Sequence, residues 1–103
     1  MSGWSSRHSY TEGNVEKYVP AGGGVYRLIN KDGDKYYVFY VGQSNDLERR
    51  LLEHLSPNEI DTCIKRYLLD YDCFFRFKEI NSASERDRVE QEQIKKYNPS
   101  CNG

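Results

Sequence analysis

The chain of 103 residues has the length of one domain, which on folding should bury roughly 60 to 70% of the surface exposed by the unfolded chain. With 37% hydrophobic residues, no apolar run of the 18 or more needed for a membrane span, and no signal-peptide pattern at its start, it reads as a cytoplasmic protein with no membrane partner and no room for a second module. Fifteen Lys and Arg against 16 Asp and Glu leave a net charge of -1, which excludes broad electrostatic attraction to nucleic acid; any phosphate-binding site must gather its positive charge locally.

Residues 1–20 are Ser-rich and polar, with scattered Trp4, Tyr10, Val15 and Tyr18, and end at Pro20 before the run Gly22-Gly23-Gly24; they read as a polar N-terminal arm preceding a domain over 21–103. From Val25 to Ile29 and from Tyr36 to Val41 the chain is dense in β-branched and aromatic residues. The Asp-Gly signal in Lys31-Asp32-Gly33-Asp34 joins these runs as a β-hairpin. Asn30 to Asp34 also has the look of a calcium-loop fragment, but the EF-hand spacing would put its first ligand at Leu28 and its closing carboxylate at Phe39, so the hairpin turn is preferred.

Asn45 with Glu48 forms a capping-box pattern, and Leu47, Leu51 and Leu55 recur as an amphipathic helix requires, with an end near Ser56-Pro57. A second helix is expected from Asn58 to Asp70, a strand from Cys73 to Ile80, and a last helix from the Ser82 and Glu85 capping box to Tyr97 before Pro99. The resulting fold class is α+β: a small three-stranded antiparallel sheet flanked by three helices, in the order β-β-α-α-β-α. Cys63, Cys73 and Cys101 are odd in number and lack both Cys-x-x-Cys spacing and a Cys/His cluster at zinc spacing, so they read as reduced thiols. His8 lies in the polar arm without a partner pattern.

The chemically informative residues form an ordered series. Gly24-Val25-Tyr26 and Tyr40-Val41-Gly42 sit on the two hairpin strands, followed by Arg50, His54, Glu90 and Asn102. Tyr26 and Tyr40 lie on paired strands, and the alternation of side chains allows both phenols to point to one side; on composition alone they are ordinary sheet aromatics among nine tyrosines. Arg50 and His54 are four apart on a helix and share a face. Taken singly, Arg50 is a solvated charge or a partner of Glu53 or Asp46, and His54 a surface residue. As a pair they suit a phosphate, because the planar guanidinium fork binds its oxygens bidentately. Glu85 and Glu92 share the last helix with Glu90 and are expected to face solvent, and Asn102 on its own would be a frayed terminus.

Taken in order, from Gly24 to Asn102, the series resembles the GIY-YIG nuclease superfamily, with Val25 and Val41 each one methylene short of that family's isoleucine. The ending Val89-Glu90-Gln91-Glu92-Gln93-Ile94-Lys95-Lys96-Tyr97-Asn98-Pro99-Ser100-Cys101-Asn102 is similar to the family's, and it is this that singles out Glu90 and Asn102. Gln43 stands where excision-repair relatives carry lysine, which points away from the repair-type branch.

The resemblance implies a metal-dependent DNA endonuclease hydrolysing phosphodiester bonds in repair, recombination or restriction, with one Mg²⁺ or Mn²⁺. Tyr26 would activate the water, Tyr40 position it, Arg50 hold the scissile phosphate, His54 support a tyrosine, Glu90 bind the metal, and Asn102 bind substrate by holding the cleft. A free phenol titrates near 10, so a tyrosine acting as base needs help from its surroundings. Two other classes fit the same residues: a non-cleaving nucleic-acid-binding or interaction module, and the nuclease subunit of a larger complex. The weak overall charge suggests that a protein partner or self-association supplies DNA contacts, with Trp4, Tyr10 and Tyr18 as candidate anchors.

Overall fold

A computed structural model describes residues 3–103. The elements run β1 (His8–Ser9), α1 (Glu12–Tyr18), β2 (Gly24–Asp32), β3 (Lys35–Ser44), α2 (Leu47–Leu55), α3 (Thr62–Asp70), β4 (Asp72–Glu79) and α4 (Ala83–Tyr97). All four strands form one sheet in the order β1-β4-β2-β3, with every neighbouring pair antiparallel. The class is α+β, but the expected three strands and three helices are corrected to four of each among the described residues.

The additional strand and helix come from residues 8–18. β1 is only two residues long, pairing His8 with Phe75 and Ser9 with Phe74, too short for any alternation to show. α1 has seven residues and a single buried one, Val15, so it carries no repeating apolar stripe. Its start is fixed locally: the Thr11 side chain accepts from Asn14 N–H as an N-cap. Tertiary contacts then order the segment. Tyr10 is 7% exposed and donates its hydroxyl to the Leu51 carbonyl at 2.7 Å, and Val15 and Val19 enter the main core. Of the candidate anchors, Tyr10 is therefore buried, Trp4 lies under the Arg27 guanidinium at 3.8 Å, and Tyr18 stacks on His8 at 4.1 Å.

The hairpin forms as expected. Gly33 takes the first of two central turn positions with φ +64°, the pattern of a II′ turn, which glycine adopts without steric penalty. The helix starts fall slightly later than the sequence signals. Asp46, not Asn45, caps α2 by accepting from Arg49 N–H, and α3 begins at Thr62 behind an Asp61 cap rather than at Asn58. Ser82 caps α4 as expected.

The sheet separates two apolar layers. On one face Tyr26, Leu28, Phe39 and Phe75 pack with Leu47, Leu51 and Ile64 from α2 and α3 and with the N-terminal segment. On the other, Val25, Val41 and Ile80 pack against Val89 of α4. The β2–β3 register shifts between Leu28 and Ile29, leaving Phe39 without a partner. This bulge lets Phe39 and its neighbour Tyr40 both join the first layer, which strict strand alternation would forbid.

β3 is an edge strand, and the C-terminal tail covers it. Cys101 N–H donates to the Phe39 carbonyl at 2.8 Å, while Asn102 accepts from Val41 N–H and donates to the Val41 carbonyl, both at 2.8 Å. The tail is tied to the start of α3 by a Cys63–Cys101 disulfide, so two of the three cysteines expected as reduced thiols are paired. Their separation of 38 residues hides the pairing from any spacing rule; only Cys73 is free. Among the described residues no helix is long and apolar enough to cross a membrane.

Candidate active site

The two tyrosines occupy the first face of the sheet because of their register. Tyr26 lies opposite Gly42, and Tyr40 opposite Leu28, which makes the phenols diagonal neighbours with ring centroids 6.1 Å apart. The glycines of the two tripeptides are there for room. A Cβ on Gly42 would meet the Tyr26 hydroxyl, with Tyr26 Cζ at 2.5 Å and Tyr40 Cε2 at 2.8 Å. A Cβ on Gly24 would run into the Lys78 carbonyl and lie 2.6 Å from Leu47 Cδ1, where β2 meets β4 and α2.

α2 brings Arg50 and His54 to these phenols, one turn apart. They differ sharply in environment. His54 is 1% exposed, with Nε2 2.7 Å from the Tyr26 hydroxyl and Nδ1 2.8 Å from Glu59 Oε1. Glu59, in the turn after α2, is itself 8% exposed. A carboxylate only accepts, so Nδ1 carries the imidazole proton and Nε2 accepts from the Tyr26 O–H. Burial holds the His54 pKa below its ordinary value even though the Glu59 hydrogen bond works the other way, and the Arg50 charge adds to the lowering. The ring is therefore neutral at pH 7. Tyr40 packs edge-on to the same ring at 5.6 Å.

Both phenols are held protonated. Burial pushes Tyr26 well above 10, with Tyr40 raising it further and Arg50 opposing. Tyr40 is less enclosed; burial again raises it most, while Arg50 and the Tyr26 side chain pull it down. Arg50 is partly exposed and donates to Glu53 Oε1 at 3.2 Å, at the rim of a cleft of about 270 Å³ lined also by Ser56, Asn58, Glu59 and Ile60.

Glu90 approaches from the opposite side of the sheet. α4 packs on the second face, where Gln43 donates to Glu90 Oε1 at 3.1 Å and also bonds Asp87. Glu90 Oε2 has no hydrogen-bond partner among the described residues. Its negative charge reaches both phenols, raising Tyr26 and Tyr40. The sequence-derived set of Tyr26, Tyr40, Arg50, His54 and Glu90 is thus gathered around the middle of edge strand β3. Asn102 joins it differently: both ends of its amide are engaged by Val41, between Tyr40 and Gly42, so it fixes the strand that carries them.

The sequence reading missed Glu59, and it marked Gln43 as a family difference without placing it beside Glu90. Glu59 follows His54 by five positions in a non-helical turn, so no helical spacing marks it, and its burial is a tertiary fact.

A family model for the GIY-YIG catalytic domain matches residues 22–103. The chain belongs to the GIY-YIG family. Among relatives, this GIY-YIG chain is 33% identical over 86 residues to UvrABC system protein C of Rickettsia rickettsii (strain Sheila Smith), covering 82% of this chain and 12% of that protein. With UvrABC system protein C of Bacteroides fragilis (strain YCH46) it is 30% identical over 93 residues, 90% of this chain and 14% of that one. The chain therefore spans about an eighth of the length of the curated relatives it matches. Among solved structures, the GIY-YIG N-terminal endonuclease domain of UvrC from Thermotoga maritima, bound to its catalytic divalent cation, magnesium, superposes with a TM-score of 0.66 at 26% identity, covering 87% of this chain and 97% of that one.

Proposed function

We propose that this GIY-YIG domain is an endonuclease that hydrolyses phosphodiester bonds of DNA with the help of one divalent cation, Mg²⁺ or Mn²⁺, in a repair setting. The observation that carries the reading is the hydrogen bond from the buried Tyr26 hydroxyl to a neutral His54, beside the more accessible Tyr40, with Arg50 and Glu90 on either side. A buried phenol aimed at a neutral imidazole is what a fold needs in order to make tyrosine a base.

In this reading the roles that the resemblance implies for the two tyrosines are exchanged: Tyr40, the less enclosed of the two, takes a proton from the attacking water as its own passes to Tyr26 and that of Tyr26 passes to His54 Nε2. No step leaves a phenolate standing, which is the necessary route when burial holds both tyrosines protonated. Arg50 presents its guanidinium to the non-bridging oxygens of the scissile phosphate and exchanges its bond to Glu53 for them. The surroundings of Glu90 fit a hard cation: a carboxylate with one oxygen unengaged and, among the described residues, no group of three or more His, Cys, Asp or Glu able to hold a metal. That donor set suits an ion that keeps several waters and takes phosphate oxygen, as Mg²⁺ does, and not a zinc site. Bound there, the cation would offset charge on the phosphate and on the departing 3′ oxygen. Gln43 holds the Glu90 carboxylate in place.

With a net charge of -1 the chain has little general pull on DNA, so its choice of substrate comes from DNA shape, a protein partner or self-association. The test is nicking of supercoiled DNA with and without Mg²⁺, by wild type and by Glu90→Ala. Metal-dependent nicking that the variant loses by at least about 100-fold, with its fold retained, supports the reading. Equal nicking by both proteins would sink it.

A further inference from the structure

The imidazole of His54 is buried against two partners, and the reading above employs only one of them. From the 2.8 Å contact between His54 Nδ1 and Glu59 Oε1, together with the burial of both side chains, we infer that Glu59 is the positioning residue of the proton relay: it fixes the His54 tautomer and balances the imidazolium formed when Tyr26 gives up its proton. This rests on the proposed nuclease reading.

Geometry makes Glu59 more than a bystander. Its side chain is 6% exposed and that of His54 0%, so the contact is sheltered from solvent, where a carboxylate and an imidazole act strongly on each other. The alternative tautomer would set a lone pair of Nδ1 against the carboxylate and turn an Nε2 proton toward Tyr26. The phenol then could not donate. With Nδ1–H committed to Glu59, Nε2 is open to the Tyr26 proton, and the charge that develops on the ring meets a carboxylate 2.8 Å away. The backbone holds Glu59 for this purpose. Its N–H donates to the Ser56 carbonyl at 3.0 Å, closing the turn that follows α2 just past Pro57. Among the described residues the side chain of Glu59 has its hydrogen bond with His54 and none with either tyrosine; its charge also reaches Tyr26, but the tautomer is set through the His54 contact.

The test uses the whole chain and two readouts. Long-range ¹H–¹⁵N spectra report the tautomer of the His54 ring in wild type, Glu59→Ala and Glu59→Gln without any need for activity. Single-turnover nicking gives the rate, and DNA affinity is measured separately. The expected results are a single Nδ1–H tautomer in wild type, mixed tautomers in Glu59→Ala, and retention in Glu59→Gln, whose amide oxygen still accepts. The nicking rate should fall about 10- to 100-fold in Glu59→Ala with affinity within about two-fold, and less in Glu59→Gln, in line with loss of the carboxylate that orients the ring. In a His54→Ala background, Glu59→Ala should add less than about two-fold, because residues that act through one another are not additive. An unchanged tautomer in Glu59→Ala, or a full multiplicative loss in the His54→Ala background, overturns the inference. Should Glu59→Ala misfold, the Glu59→Gln spectra and rate decide. If wild type fails to nick at all, the nuclease reading falls while the spectra still decide whether Glu59 sets the His54 tautomer.

Discussion

Gly42→Ala adds one methyl group at the most crowded point of the site, and its consequences follow from distances alone. The new Cβ would meet the Tyr26 hydroxyl and lie 2.5 Å from Tyr26 Cζ and 2.8 Å from Tyr40 Cε2, closer than real Cβ atoms approach anything. Tyr26 cannot simply swing away, being 1% exposed and bonded to His54. The strand cannot retreat either, because Asn102 holds the adjacent Val41 by both backbone groups. Overpacking of this kind destabilises by about 1 to 3 kcal/mol. If the phenol moves, the buried Nε2 of His54 is left without a partner, which adds about 1 to 3 kcal/mol. The sum, roughly 2 to 6 kcal/mol, lowers Tm by at least about 8 °C in a domain of this size. Thermal unfolding followed by circular dichroism measures that, and nicking of supercoiled DNA at a temperature where the variant is still folded measures the relay. Activity should fall by at least about 100-fold, since the proton path runs through the displaced phenol. A variant with Tm within 2 °C of wild type and nicking within about two-fold would refute the steric argument and the relay with it.

Arg50→Lys keeps the charge but loses the planar fork, so turnover should drop by far more than DNA affinity; cleavage within a few-fold of wild type would reduce Arg50 to a surface charge paired with Glu53. Because the folded-state pKa of His54 is lowered from about 6.5, the ring's neutrality contributes stability that is fully present above about pH 6.5 and is lost as pH falls toward the folded value. The groups facing the ring are Glu59, Arg50, Tyr26, Tyr40 and Asp61, and His54→Gln should flatten the stability curve between pH 7 and 5.5; parallel urea-unfolding curves for wild type and variant would count against it. Reducing the Cys63–Cys101 bridge, whose ends lie 38 residues apart, removes a constraint of about 2 to 4 kcal/mol and frees the Asn102 clamp. Tm and nicking should both fall in dithiothreitol, and an unchanged melting curve would show that the tail is held without the bridge.

What depends on local rules and on ordered motifs was legible along the chain. Runs dense in β-branched and aromatic residues around an Asp-Gly turn set the hairpin, the four-residue recurrence of Leu47, Leu51 and Leu55 set α2, and the Ser82 cap set α4; the order of Tyr26, Tyr40, Arg50, His54 and Glu90 named the candidate site. Tertiary structure decided whatever depends on partners far apart in the chain. β1 and α1 exist because Tyr10 and Val15 find a core already built by other elements, since neither segment is long enough to reveal an apolar face. Cys63 reaches Cys101, and Asn102 reaches Val41, only because α4 returns the chain to the edge of β3. Nothing in the sequence singles out Glu59. Its burial against His54 is set by the turn at Pro57 and by the ring it meets there, and no periodicity in the chain records that encounter.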